Sequence, residues 1–210
     1  MTPNAKPAAV IFDIGNVLIE WQPEARFDRF IGRTRREALF GTVDIAALAE
    51  KIDLGAGFRE TVEATAASHP DFAADILLWR DRWAELAGPV IAHSARLLRA
   101  LRRAGIPVFA LTNYGHDSFE ISARAHPVLT EFDSFFISGA LGVTKPNAAI
   151  YETVEQDCGL PPERLLFTDD RAENIAAAQA RGWQTHLFEG PEGWAARLVE
   201  AGLLTKEAAT

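Results

Sequence analysis

A single cysteine, Cys158, stands among the 210 residues. One thiol forms no intrachain disulfide and supplies no multi-cysteine zinc site, and this usage leads us to expect a reducing, cytoplasmic setting. Long apolar runs are also missing. No segment approaches the roughly 20 residues that cross a bilayer, and the stretch Met1–Pro7 leads into an apolar run of strand length, too short for a signal peptide. Positive charge is scarce: 21 Lys and Arg face 29 Asp and Glu, a formal net charge of −8. That balance, with no long basic run, argues against nucleic acid as a partner. An acidic chain that binds a small phosphate then needs a local cation.

What is present is an ordinary globular balance, 48% hydrophobic and 24% charged residues, in a length that suits one core domain carrying an insertion. The chain opens on an apolar run, Ala8 to Phe12, that ends in Asp13 and passes at once into the turn residues of Ile14-Gly15-Asn16. A buried strand that stops on Asp13 places its carboxylate at the C-terminal edge of a sheet, where open α/β folds bind ligands.

From Trp21 the apolar spacing turns helical and stays so to Gly88-Pro89, with segments near Arg26–Phe40, Ile45–Ile52, Phe58–Ala67 and Asp71–Leu86. This predicts an insertion of about four short helices and no strand. Strand and helix patterns then alternate: a helix over 94–103, a strand over 107–111, a helix over 118–125 and a strand over 135–137. Asn147 can cap the next helix, which Gly159 ends. A strand over 165–168, an alanine-rich helix over 172–180, a strand over 183–188 and a tail helix over 194–203 complete the pattern. The alternation predicts an α/β fold with a doubly wound parallel sheet, residues 1–18 and 90–210 forming the core and 19–89 an inserted helical domain. All parallel strands finish on one edge, so Asp13, Thr112 and Asp169-Asp170 can converge there.

Four short stretches stand at those strand ends: Phe12-Asp13-Ile14-Gly15-Asn16-Val17, Leu111-Thr112-Asn113, Thr144-Lys145-Pro146, and Phe167-Thr168-Asp169-Asp170 with Asn174. In this order they resemble the haloacid dehalogenase-like hydrolase superfamily, in its phosphatase branch with a helical cap after the first strand. The resemblance implies a Rossmann-like core and Mg²⁺-dependent hydrolysis of a small phosphorylated metabolite. Asp13 would attack phosphorus and form an aspartyl-phosphate, splitting one hard displacement into two easier ones.

A carboxylate approaching a phosphate dianion meets like-charge repulsion, which Asp169 and Asp170 increase, so a divalent cation is required; Mg²⁺ suits oxygen ligands. By resemblance those ligands are Asp13, the main-chain oxygen of Gly15 and Asp170, with Asp169 either a ligand or its support. Thr112 offers a hydroxyl, and Asn113 its backbone N–H, to phosphate oxygens. Lys145 is the local cation, able to bridge Asp13, an acid of the pair and a phosphate oxygen. Asn174 would orient the acids or Lys145.

Most phosphatases of the superfamily carry a second Asp two residues after the nucleophile, which protonates the leaving oxygen and later activates water. Here that residue is Gly15, a loss of on the order of 10² to 10⁴ in rate for a poor leaving group unless another group serves. His116, Glu50 and Asp53 are candidates. The Gly-Asn-Val form resembles a subset that includes phosphatases of sugar phosphates such as glucose 1-phosphate. The loop from Glu50 to Gly55 is expected to face the phosphate site, while Phe27, Phe30, Trp79 and Trp83 are expected in the cap's own core. Two other readings stand beside this one: a metal-independent 2-haloacid dehalogenase, in which Ser or Asn would stand in place of the acidic pair, and a non-catalytic binder of a phosphometabolite or partner. The oligomeric state is left open.

Overall fold

The computed structural model describes residues 5–210. Its main sheet has five parallel strands in the order β5-β4-β1-β6-β7: β1 is Ala9–Phe12, β4 Val108–Thr112, β5 Ser134–Ile137, β6 Leu165–Asp169 and β7 Gln184–Leu187. β1 occupies the centre because its residues are apolar without interruption, as a strand covered on both faces must be; all four side chains are fully buried. Val10 and Phe12 face one layer with Leu97, Leu101, Trp194 and Leu198. Ala9 and Ile11 face the other, with Ile150, Tyr151, Ile175 and Ala178. Helices on both faces of a parallel sheet make the α/β, doubly wound, Rossmann-like architecture that the alternation predicts.

Phe12 pairs in register with Ala110 of β4 and Thr168 of β6. Asp13, Thr112 and the Asp169-Asp170 pair therefore lie on one edge at nearly one height. The helix Ala148–Cys158 begins where Asn147 Oδ1 accepts the Ala149 N–H at 3.0 Å and stops at Gly159. The tail helix runs Pro191–Glu200, three residues earlier than the apolar spacing suggests, because Pro191 starts it.

The insertion differs from expectation in two respects. It is bracketed by strands: β2, Ile19–Trp21, and β3, Ala87–Val90, pair antiparallel, Ile19 with Val90 and Trp21 with Ala87. Each strand needs a partner far along the chain, which local periodicity does not reveal. Between them lie six α-helices, Pro23–Ile31, Arg33–Thr42, Ile45–Asp53, Phe58–Ser68, Ala73–Asp81 and Trp83–Leu86, and a 3₁₀ turn, Pro70–Phe72. The excess over four arises where Gly32, at φ 80°, divides the first segment and Arg82 divides the last. No described helix is long and apolar enough to cross a membrane.

Candidate active site

Beyond β1 the Asp13 N–H still bonds Thr168 O at 2.9 Å, and the chain then winds around one carbonyl: Ile14 O accepts from the N–H groups of Val17, Leu18 and Ile19. The turn leaves Gly15 and Asn16 half-buried beside the sheet edge, lining the cavity there. Asn16 sits at φ 55°, a left-handed conformation that asparagine tolerates better than most residues. Its side chain connects two elements. Oδ1 accepts the Trp21 N–H at 2.9 Å, and Nδ2 donates to Asp170 Oδ2 at 2.9 Å. The motif that contains Asn16 assigns it no role; its place directly after Gly15 in a strand-to-turn reversal is the signal for one.

Asp13 Oδ1 accepts from Ile14 N–H at 2.7 Å and from Lys145 Nζ at 2.9 Å. Oδ2 has no protein donor among the described residues, so it is the oxygen left free to act. Burial pushes the Asp13 carboxyl up to about 7, the Lys145 ammonium opposing and the Asp169 charge adding to the rise. For Lys145 burial works against the charge, but the carboxylates of Asp13 and Asp169 outweigh it and hold the ammonium above its ordinary range.

Lys145 meets Asp13 and one acid of the pair: its Nζ donates to Asp13, to Asp169 Oδ2 at 2.6 Å and, with its third proton, to the main-chain Leu111 O at 2.9 Å. An ammonium whose side chain is 1% exposed has to satisfy every donor within the protein. Asn113 has a second task beyond its N–H: its side chain receives the Lys145 N–H at 2.8 Å and donates to Lys145 O at 2.9 Å, clamping that loop against the end of β4.

The acidic pair divides its labour. Asp169 is fully buried, and both its oxygens are occupied: Oδ1 by Arg171 N–H and Asn174 Nδ2, Oδ2 by Lys145 Nζ and Asn174 Nδ2. Asn174 thus orients Asp169. Asp170 is half-buried, lines the cavity and is held by Asn16 alone. Oxygens of Asp13, Asp169 and Asp170 lie within 4.8 Å of one another, close enough to share one cation. The donor set is all oxygen and hard, which suits Mg²⁺. Because the oxygens of Asp169 are already occupied, Asp13 and Asp170, with the Gly15 carbonyl that the resemblance implies, are the groups that fit it.

These residues line a cavity of about 190 Å³ between the sheet edge and the insertion. Its floor carries Asp13, Gly15, Thr112, Asn113, Lys145 and Asp170; its roof and sides are Ile19, Trp21, Ile52, Asp53, Trp79 and Trp83. Trp79 and Trp83 are 2% and 6% exposed, so they serve both as core of the insertion and as cavity wall. Of the acid–base candidates in the sequence, Asp53 belongs to this wall. Glu50 and His116 do not. Burial pushes the Asp53 carboxyl up to about 7, the Gly115 N–H and the Lys145 charge opposing.

A family model described as haloacid dehalogenase-like hydrolase matches residues 7–182. The sesquiterpene phosphatase astK of Aspergillus oryzae is 26% identical over 193 residues, covering 83% of this chain and 86% of the relative. The drimenol cyclase drtB of Aspergillus calidoustus is 26% identical over 184 residues, 86% of this chain but 34% of the relative, so the chain spans about a third of that protein's length. Among solved structures, the HAD family enzyme bt-2542 of Bacteroides thetaiotaomicron superimposes with a TM-score of 0.73 at 21% identity, covering 92% of this chain and 99% of that one. A second structure of that enzyme, in complex with magnesium and inorganic phosphate, gives a TM-score of 0.69 at 19% identity over 86% of this chain and 93% of that one. The family match runs from the first strand past the helix that carries Asn174, and on that ground the chain belongs to the haloacid dehalogenase-like hydrolases.

Proposed function

We propose that the protein hydrolyses a phosphate monoester with an apolar alcohol part, through an aspartyl-phosphate on Asp13 and with Mg²⁺ bound, residues 19–89 acting as a cap over the site. The observation that carries this reading is Asp13 itself: one oxygen is pinned by Ile14 N–H and Lys145, and the other faces a cavity bounded by Asp170 and Thr112. Pinning one oxygen fixes the line of approach of the other, which is what an in-line displacement at phosphorus requires. Thr112 and the Asn113 N–H stand at the same edge to steady the phosphate's remaining oxygens.

Asp13, Asp170 and the Gly15 carbonyl would hold the cation, with Asp169 kept in place behind them by Lys145 and Asn174. When bound, Mg²⁺ would offset the negative charge gathered between carboxylates and phosphate. The magnesium and phosphate found together in the Bacteroides enzyme's complex favour this assignment.

The cavity wall argues for the apolar leaving group. A sugar phosphate, which the Gly-Asn-Val resemblance implies, needs several hydrogen-bonding partners for its hydroxyls; the roof here offers Ile19, Trp21, Ile52, Trp79 and Trp83, with the Asp53 carboxyl as its polar group. The name of the sesquiterpene phosphatase, with an apolar hydrocarbon substrate class, supports the same direction.

The test is hydrolysis of p-nitrophenyl phosphate with and without Mg²⁺. Turnover should require the metal, and Asp13→Asn should lower it by at least about 10³-fold. Metal-independent chloride release from 2-chloropropionate would replace this reading by the dehalogenase. Tight phosphate binding without turnover would replace it by the non-catalytic binder.

A further inference from the structure

The reaction just described needs a proton for the departing alkoxide and later a base for the attacking water, and Gly15 supplies neither. A side chain would fit there, since a Cβ on Gly15 would meet only Trp21 Cβ, at 3.8 Å. The groups that could act must reach the cavity from elsewhere. Its titratable wall residues are Asp13, Asp53, Tyr114, Lys145, Asp170 and Arg171. Asp13 is the nucleophile, and Lys145 has spent all three protons. Asp170 is a metal ligand in this reading and is tethered to Asn16. Tyr114 exchanges its hydroxyl hydrogen bond with Ser122 Oγ at 2.6 Å, and Arg171 is paired with Glu173. Asp53 remains.

Its position is set by main-chain contacts, with the Gly115 N–H beside its carboxyl. Asp53 is the last residue of the helix Ile45–Asp53, and its main-chain oxygen receives the Ser138 hydroxyl at 2.6 Å. Ser138 Oγ also accepts the Tyr114 N–H at 2.9 Å, so one hydroxyl joins the cap loop to the loops after β4 and β5. The approach is close because both sides are glycine: a Cβ on Gly55 would lie 2.7 Å from Gly139 O, and one on Gly115 2.3 Å from Ile52 Cγ2. The cap loop is therefore seated on the core where Asp53 lines the same cavity as Asp13 and Asp170. Apolar surroundings there keep a carboxyl protonated at a pH where an exposed one has ionised, as a proton donor requires.

We propose that Asp53, delivered by the cap loop, is the general acid and base of this hydrolase, in place of the carboxylate that position 15 lacks. The proposal rests on the phosphatase reading. In the first step Asp13 Oδ2 forms a bond to phosphorus, the bond from phosphorus to the alcohol oxygen breaks, and the Asp53 proton passes to that oxygen. In the second, water attacks phosphorus and gives its proton to the Asp53 carboxylate, while the bond from Asp13 to phosphorus breaks. Free alcohol, inorganic phosphate and both starting carboxyl states result.

The experiment compares wild type and Asp53→Asn by rapid mixing with p-nitrophenyl phosphate and Mg²⁺. The p-nitrophenolate group leaves with little need of a proton, so the variant should release about one equivalent per site in a burst and then turn over roughly 10² to 10⁴ times more slowly than wild type. Asp53→Glu should recover part of the steady rate and lose the burst. An unchanged steady rate, or a uniform loss without a burst, overturns the assignment. Wild type alone provides a reading that does not depend on how the variant folds: kcat/KM for phenyl phosphate should lie within about tenfold of that for p-nitrophenyl phosphate, and a gap of more than about 10² means that no proton donor is present. Absence of wild-type turnover on both esters instead defeats the phosphatase reading itself.

Discussion

Lys145 concentrates most of the site's electrostatics in one ammonium. It sits between Asp13 and Asp169, at 2.9 and 2.6 Å, with Leu111 O as its third partner. Taking that charge away leaves two buried carboxylates facing each other without a cation, the costly case for a buried ion pair. Lys145→Met, close in length and apolar, should therefore destabilise the fold by about 3–5 kcal/mol, and thermal unfolding should show a Tm lower by roughly 10 °C for a chain of this size. A Tm within about 2 °C of wild type would mean that the network is held by the backbone alone. The same residue marks a boundary of sequence reading. That a lysine should meet the acids could be read from the motif resemblance, although Lys145 stands in a turn beyond β5 rather than at a strand end, whereas its third bond could not, because Leu111 O becomes a partner only once β4 and the Lys145 loop are packed together. Asn113 behaves alike: its N–H belongs to a recognisable strand end, but the side-chain clamp on Lys145 arises from tertiary approach.

At the scale of elements, the strands of the sheet were legible and the insertion only partly so. Apolar runs ending on polar residues locate β1, β4 and β6 within a residue or two, because parallel packing buries both faces of each strand. The helices of the insertion carry mixed signals, since Trp79 and Trp83 are core and cavity wall at once, and periodicity alone sees only the first role. Nor does it rank Asp53 above Glu50 and His116; that needs the seam where the helix ending at Asp53 meets the core. The seam makes a sharp prediction about glycine. A Cβ on Gly139 would fall 2.7 Å from His116 N, 2.9 Å from Gly115 Cα and 2.9 Å from Tyr114 O. All three are main-chain atoms with little freedom to yield, so Gly139→Ala should cost about 1–3 kcal/mol in urea unfolding and lower kcat by displacing Ser138 and Asp53. Gly41→Ala is the control: it lies inside the helix Arg33–Thr42 with nothing within 4 Å, and should stabilise by about 0.5–1 kcal/mol. Equal effects at the two positions would contradict the close packing of the loops after β4 and β5 on which Asp53 is seated.

For the molecule as a whole, the division of work between a rigid sheet and a seated insertion bears on how the cation would act. The carboxylates stand at the ends of different strands, Asp13 after β1 and Asp169 and Asp170 at the end of β6, and are brought within 4.8 Å only by the folded sheet. An ion bound there would have no equivalent site in the unfolded chain, so binding adds directly to stability, by about 2.7 kcal/mol at a free concentration a hundredfold above the dissociation constant. Mg²⁺ at saturation should thus raise the Tm by roughly 5–10 °C, and EDTA should reverse it. The geometry also specifies which carboxylate carries the effect. Asp170→Asn keeps an oxygen for the Asn16 hydrogen bond but loses the charge facing the cavity, so the metal-free Tm should be unchanged or raised and the Mg²⁺-dependent rise largely abolished. Asp169→Asn instead disturbs the oxygens that hold Lys145, Asn174 and the Arg171 N–H, and should lower the Tm before any metal is added. A shift that survives Asp170→Asn at full size would place the cation elsewhere and remove the charge-offsetting role from this edge of the sheet.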